Sequence, residues 1–228
     1  MRISAAAALA GRDPAAIALL AVSKAQGAAA VAEAVRAGQN AFGENYVQEA
    51  LEKMQAVTGL LGKVHAGALE WHFIGPLQSN KTRMVAERFA WAHSVERRKI
   101  AQRLSDQRPA QLPPLAVLIQ VNVSGEASKS GVAPEGTEAL AREVARLPRL
   151  RLRGLMTVPE PSDDETLQRA RFRALRELLE RLRAQGLALD TLSMGMSGDL
   201  EAAIAEGATL VRIGTAIFGE RRKEKSAA

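Results

Sequence analysis

The sequence predicts an α/β fold, a single-domain (β/α)8 barrel, on three observations. Eight apolar segments of strand length recur along the chain, and segments with the 3.6-residue period of an amphipathic helix lie between them. The 228 residues hold these units with no long linker, which suits one closed barrel, slightly compact for its kind. Alternation of the two element types argues for a parallel sheet with helices outside it. An open doubly wound sheet is the alternative. No Gly-rich dinucleotide turn follows the first strand, which counts against it.

The strands are expected at Ile17 to Val22, Asn40 to Gly43, Leu69 to Ile74 and Trp91 to Ser94, then at Leu115 to Val123, Leu152 to Thr157, Leu189 to Ser193 and Leu210 to Ile213. The fifth has the clearest signal. Its apolar, β-branched run Leu-Ala-Val-Leu-Ile-Gln-Val-Asn-Val suits a strand covered on both faces. The opening, Met1-Arg2-Ile3-Ser4 and four alanines, reads as a helix. Its apolar stretch is short for a targeting segment, and Gly11-Arg12-Asp13-Pro14 follows at once. Val31, Ala34 and Val35 mark a helix stopped by Gly38, and Leu140, Val144 and Leu147 one that ends before Pro148. Leu167, Ala170, Ala174, Leu178 and Leu182 mark the longest, stopped by Gly186. Residues 1–228 are expected to form one domain, with 221–228 as a disordered tail.

Hydrophobic residues make up 47% of the chain, enough for a sizeable core. There is no cysteine, which excludes disulfides and thiolate metal sites and suits a cytoplasmic location. No apolar run reaches membrane-spanning length. The net charge is +6, with arginine concentrated between Arg142 and Arg183. A basic chain can bind nucleic acid. Here the arginines interleave with glutamates at helical spacing, as in Arg176-Glu177 and Glu180-Arg181, and eight aromatic residues are too few for an evident stacking platform. Solvated helix faces are therefore favoured over an RNA site.

In a barrel, reactive groups gather where strands end and loops begin. Lys24 ends the apolar run Leu19-Leu20-Ala21-Val22-Ser23, where an amine is costly unless neutralised, paired or covalently used. The other strand ends bring Glu44-Asn45-Tyr46, Gly75 to Lys81, Asn122, Met156-Thr157, Ser193 to Ser197 and Arg212 to Thr215. Ser193-Met194-Gly195-Met196-Ser197-Gly198-Asp199 and Val211-Arg212-Ile213-Gly214-Thr215 combine small residues, hydroxyls and turns that open helices, the vocabulary of a phosphate cradle. An amine nucleophile and a phosphate site in one barrel suggest pyridoxal 5′-phosphate.

Several segments together carry a family resemblance. They are Leu20 to Lys24, Phe42 to Glu49, Trp71 to Lys81, Gly154 to Thr157, Leu192 to Ser197 and Val211 to Gly219. Across nearly the whole chain the sequence resembles the pyridoxal phosphate homeostasis protein family, itself similar to the TIM-barrel N-terminal domain of alanine racemase without that enzyme's second domain. The resemblance implies that Lys24 forms the internal aldimine and that Ser197 and the Gly214-Thr215 turn hold the phosphate. It further implies that Arg212 approaches the pyridine nitrogen and that Asn45 sits beside the ring or its 3-hydroxyl. It implies a monomeric, non-catalytic carrier that passes the cofactor to PLP-dependent apoenzymes. A low-activity amino-acid racemase and an RNA-binding module are the alternatives. The chain departs from the family in Ala25-Gln26-Gly27 after Lys24, and it begins part-way through the family's leading helix, which is expected to be shortened or weakly packed.

Plainer roles compete at each position. Ser197 and Thr215 could cap helices, Asn45 could cap the helix beginning near Tyr46, and Arg212 could pair with a glutamate inside the barrel. Met194 and Met196 read as packing. His65, His72 and His93 lack metal-ligand spacing, and His72 is expected as a hydrogen-bonded rim or core residue. Lys81 and Lys129 could be secondary amine sites, with solvent as their default.

Overall fold

The two periods resolve into alternating strands and helices in a computed structural model, which describes residues 2–126 and 130–219. In chain order these are α1 (Arg2–Leu9), a 3-10 turn (Pro14–Ala16), β1 (Ala18–Val22), α2 (Ala28–Arg36), β2 (Ala41–Glu44), α3 (Val47–Gly67), β3 (Glu70–Phe73), α4 (Thr82–Arg88) and β4 (Trp91–Val95). They continue with α5 (Arg98–Gln107), β5 (Leu115–Gln120), a second 3-10 turn (Pro134–Gly136), α6 (Thr137–Ala145), β6 (Leu150–Met156), α7 (Glu165–Ala184), β7 (Thr191–Ser193), α8 (Leu200–Ala205), β8 (Leu210–Ile213) and α9 (Thr215–Phe218). Each strand pairs in parallel with the next, and β8 pairs with β1, so the sheet closes into a barrel. The tail expected at 221–228 lies outside the described residues.

Side chains alternate across a strand, so the register sorts the residues into two layers. Leu20 lies beside Arg212, Gly43 beside His72, and His72 beside Trp91. This row faces the barrel axis with Leu118 and Met156. The alternate row, including Ala21, Phe42, Phe73, Val117, Ile119 and Val211, packs against Val31, Val85, Ile100, Leu104 and Leu175 from the helices. The axis is not wholly apolar: His72, His93, Ser193 and Arg212 are all buried.

Three local readings change. The fifth strand stops at Gln120, because Asn122 donates to the Val132 carbonyl and Val132 to that of Gln120, turning the chain to an isolated bridge between Val121 and Val132. In α7 the buried stripe is Phe172, Leu175, Leu178, Leu179 and Leu182, while Leu167, Ala170 and Ala174 are exposed. The large side chains set the face, and alanine tolerates either. The leading helix is well packed: Ala6 and Ala7 are buried, Arg2 clamps Glu201 of α8 at 2.8 Å, and Arg12 donates to the Ile204 carbonyl.

The arginines of α7 do more than meet solvent. Arg169, Arg173 and Arg176 converge on Glu206, whose side chain is 2% exposed, and tie α7 to the end of α8. Among the described residues no helix is long and apolar enough to cross a membrane.

Candidate functional site

At the C-terminal ends of the strands lies a cavity of about 380 Å³ lined by Lys24, Asn45, Ser197, Arg212, Gly214 and Thr215. The fold thus brings all six candidate residues to one place. Val22, Ile74, Val158 and Met196 supply its apolar lining.

Lys24 follows the inward-facing Leu20 and Val22 at intervals of two, which aims it at the cavity. A buried network fixes its backbone. Ser23 Oγ donates to Glu44 Oε1 at 2.6 Å. Lys53 Nζ donates to the Ser23 carbonyl at 2.6 Å, to Glu44 Oε1 at 2.7 Å and to Glu49 Oε1 at 3.0 Å. The Ala25 N–H reaches Glu49 Oε1 at 2.6 Å, with Ala25 held at φ 59°, a left-handed conformation that costs a β-carbon-bearing residue energy. The residues on both sides of Lys24 are therefore tied to α3. Burial pushes the Glu44 carboxyl up, and the hydrogen bond and charge of Lys53 oppose it.

Lys53 is the main participant missed by sequence reasoning. It lies on the buried stripe Val47, Ala50, Lys53, Val57 of α3. A lysine on an apolar stripe is the signal that marks it, because a buried amine requires carboxylate partners.

On β8, the strand beside β1, Arg212 is 4% exposed. Its Nη1 donates to the Ser193 carbonyl at 2.7 Å and to Ser193 Oγ at 2.8 Å, and its Nη2 donates to the Thr157 carbonyl at 2.8 Å. Its hydrogen-bond partners are two carbonyls and a hydroxyl, so the competing role of pairing with a glutamate is not the one it takes. Burial pulls its pKa down to about 10 against the opposing charge of Asp199, which leaves it cationic at neutral pH.

The turn after β7 carries Ser197. Met196 N–H donates to Asp199 Oδ1 at 2.6 Å, and Asp199 N–H returns to the Met196 carbonyl at 3.2 Å. Asp199 is the residue that precedes α8, so Ser197 is not its cap. Gly195 is at φ 94°, and a β-carbon there would lie 2.6 Å from Ala203 Cβ, so the turn requires glycine. Gly214 precedes α9 and Thr215 opens it at the exposed rim.

Asn45 is held by a close backbone approach: a β-carbon on Gly75 would lie 2.2 Å from the Asn45 carbonyl oxygen. Tyr46, not Asn45, occupies the cap position of α3, which overturns the capping role. Asn45 Oδ1 is buried with no hydrogen-bond partner, an acceptor beside the cavity that awaits a donor.

His72 and His93 are core residues bonded to each other, 2.9 Å between Nδ1 and Nε2. Met194 is fully buried, in line with a packing role. Lys81 precedes α4 and is not among the cavity-lining residues, and Lys129 lies outside the described residues.

The donor set suits an anionic aromatic aldehyde: an amine, hydroxyls beside glycine turns, a buried guanidinium and an orphaned acceptor. Comparison with known proteins agrees with this chemistry. Residues 3–222 match the family described as alanine racemase, N-terminal domain. The pyridoxal phosphate homeostasis protein of Pseudomonas aeruginosa is 64% identical over 220 residues, covering 96% of this chain and 91% of that protein. That of Escherichia coli K12 is 55% identical over 229 residues, covering 98% and 94%. PipY of Synechococcus elongatus, solved with PLP bound, superposes with a TM-score of 0.81 at 37% identity, covering 95% of this chain and all of that one. Alanine racemase from Corynebacterium glutamicum shares the fold at 18% identity and a TM-score of 0.66, and this chain spans 59% of it. The chain belongs to the alanine racemase N-terminal domain family and, within it, to the pyridoxal phosphate homeostasis proteins.

Proposed function

We propose that this chain binds pyridoxal 5′-phosphate as an imine on Lys24, keeps its aldehyde masked, and releases it to amine groups of PLP-dependent apoenzymes. The observation that carries this reading is the meeting of Lys24 with Ser197, Gly214 and Thr215 in one cavity, with the buried Arg212 in the same lining. Condensation of the amine with the aldehyde releases one water, and exchange with another amine reverses it without net redox change. Ser197, Gly214 and Thr215 would take the phosphate, and Asn45 Oδ1 would accept a hydrogen bond from the bound group.

Arg212 bears on catalysis. A guanidinium only donates, so it leaves the pyridine nitrogen unprotonated and the ring a weak electron sink. Racemisation also needs an acid–base group on each face of Cα. Tyr46 is the only tyrosine in the sequence, and it is 63% exposed, outside the cavity lining. Both features favour carriage over turnover. We place the carrier in the cytosol, in keeping with a cysteine-free chain, and take it to act as a monomer.

The test is the absorbance of the cofactor-soaked protein before and after borohydride, followed by peptide mapping. A pyridoxyl adduct on the peptide containing Lys24, lost in Lys24→Ala, is expected. Unchanged cofactor retention in that variant would refute the covalent assignment. Solvent deuterium entering Cα of alanine at a useful rate would favour the racemase instead.

A further inference from the structure

A line of buried polar side chains runs down the barrel axis beneath the site. Arg212 Nη1 donates to Ser193 Oγ at 2.8 Å, Ser193 Oγ lies 3.1 Å from His93 Nδ1, and His93 Nε2 lies 2.9 Å from His72 Nδ1. His72 Nε2 then faces Glu70 Oε2 at 3.6 Å, beyond a hydrogen bond, and has no other partner. Glu70 belongs to a second cavity of about 280 Å³ at the N-terminal ends of the strands, lined also by His72, Trp91, Arg153 and Asp190. Arg153 is already engaged there: it chelates Asp190 at 2.8 and 2.9 Å and lies 4.7 Å over the Trp91 ring. Trp91 in turn stacks on His72, 5.1 Å between centroids at 7°. The imidazole plane is thereby fixed.

The chemistry gives this line a direction. Arginine cannot accept, so the Ser193 oxygen must. With the serine hydrogen directed to His93 Nδ1, the His93 proton sits on Nε2. That proton is donated to His72 Nδ1, which leaves the His72 proton on Nε2, aimed at Glu70. Burial holds His93 well below the usual histidine range, helped by the nearby His72 ring and the Arg212 charge, and burial lowers His72 against the pull of Glu70. Both rings are neutral at pH 7, as a chain of single donors requires.

We propose that Ser193, His93 and His72 are positioning residues that orient Arg212 toward the cofactor ring, and that Glu70 at the opposite mouth acts on that guanidinium through them. This rests on the reading that Arg212 meets the ring. Breaking the line at His93 removes the acceptor for the Ser193 hydrogen, lets the hydroxyl turn, and loosens the anchor of a charged donor.

Two measurements test this. Histidine 15N spectra of the unloaded protein report the tautomers directly. Protons on Nε2 of both His72 and His93 are expected, and a proton on His93 Nδ1 would overturn the direction whatever the cofactor does. In the same spectra Glu70→Gln, a change at an exposed position, should move the resonances of His93 and of the Arg212 guanidinium. A change confined to His72 would overturn the long-range coupling. On the loaded protein, His93→Leu should weaken pyridoxal 5′-phosphate retention about tenfold, the worth of one charge-assisted hydrogen bond. It should also shift the cofactor absorbance band, with borohydride still fixing the adduct on the same peptide. His93→Gln, which keeps an acceptor and a donor, should restore both. An adduct that forms with unchanged affinity and spectrum in His93→Leu sinks the positioning role alone. No adduct in the wild-type protein sinks the parent reading, and the tautomer spectra still decide the column.

Discussion

Replacing Lys53 with methionine keeps the stem packed in α3 and removes the amine that holds the Lys24 segment. The side chains of Lys53 and Glu44 are 4% and 0% exposed, so the substitution strands a carboxylate that water cannot reach. Breaking a buried pair by deleting one partner costs about 3–5 kcal/mol. Glu49 is 33% exposed and can turn to solvent, so its lost bond adds little. We expect a loss of about 4 kcal/mol at pH 8, a large share of an ordinary domain's stability. The pH dependence follows from the sign of the Glu44 shift. Burial already raises that carboxyl, and the variant loses the opposing pull of Lys53, so the folded-state value rises further. A carboxyl raised on folding contributes stability that is complete below its unfolded pKa and is lost as pH climbs through its folded one. The deficit of Lys53→Met should therefore shrink at acid pH, as falling pH carries Glu44 through its raised folded-state value. Urea unfolding of the unloaded protein, followed by circular dichroism at pH 8 and at acid pH, measures it. Glu44→Gln in the same background should recover part of the loss at pH 8. A deficit below about 1 kcal/mol, or one equal at both pH values, would show that the network does not confine a buried charge.

Gly75→Ala should cost about 1–3 kcal/mol and weaken cofactor retention, because its new methyl must push the Asn45 backbone aside; thermal melts and an absorbance titration read the two effects. Ser197→Ala should reduce the preference for pyridoxal 5′-phosphate over pyridoxal, and an unchanged preference in competition binding would remove this hydroxyl from the phosphate site. For Glu206, burial pulls upward, but hydrogen bonds from Arg173 and Arg169 and the nearby charges outweigh it, so its carboxyl lies below the usual range. Its contribution is present above the unfolded pKa and lost as pH falls through the folded one. Glu206→Gln should accordingly lower the unfolding free energy measured in urea at pH 7 by about 1–2 kcal/mol, with less effect as pH falls through the folded-state value.

Most of the barrel is written in local chemistry. Apolar runs place each strand to within two residues, apart from the early end of β5, and Gly38 and Gly186 mark helix ends where a positive φ is needed. The site was legible where a residue type is expensive at its position: a lysine closing an apolar strand, or an arginine between Val211 and Ile213. What stayed hidden depends on contacts between distant segments. Nothing near Arg212 in sequence announces Thr157 as its partner, and the histidine pair joins neighbouring strands through side chains that meet only when the barrel closes. The helix-capping role for Asn45 failed because the backbone turns one residue later, at Tyr46.

Three hydrogen bonds to Ser193 and Thr157 anchor Arg212. These bonds hold the floor of the chamber whether or not it is filled, and among the buried side-chain polar atoms of its described lining only Asn45 Oδ1 goes without a hydrogen-bond partner. On the proposed reading, a carrier built this way gives up its cofactor without collapsing and stands ready to be filled again.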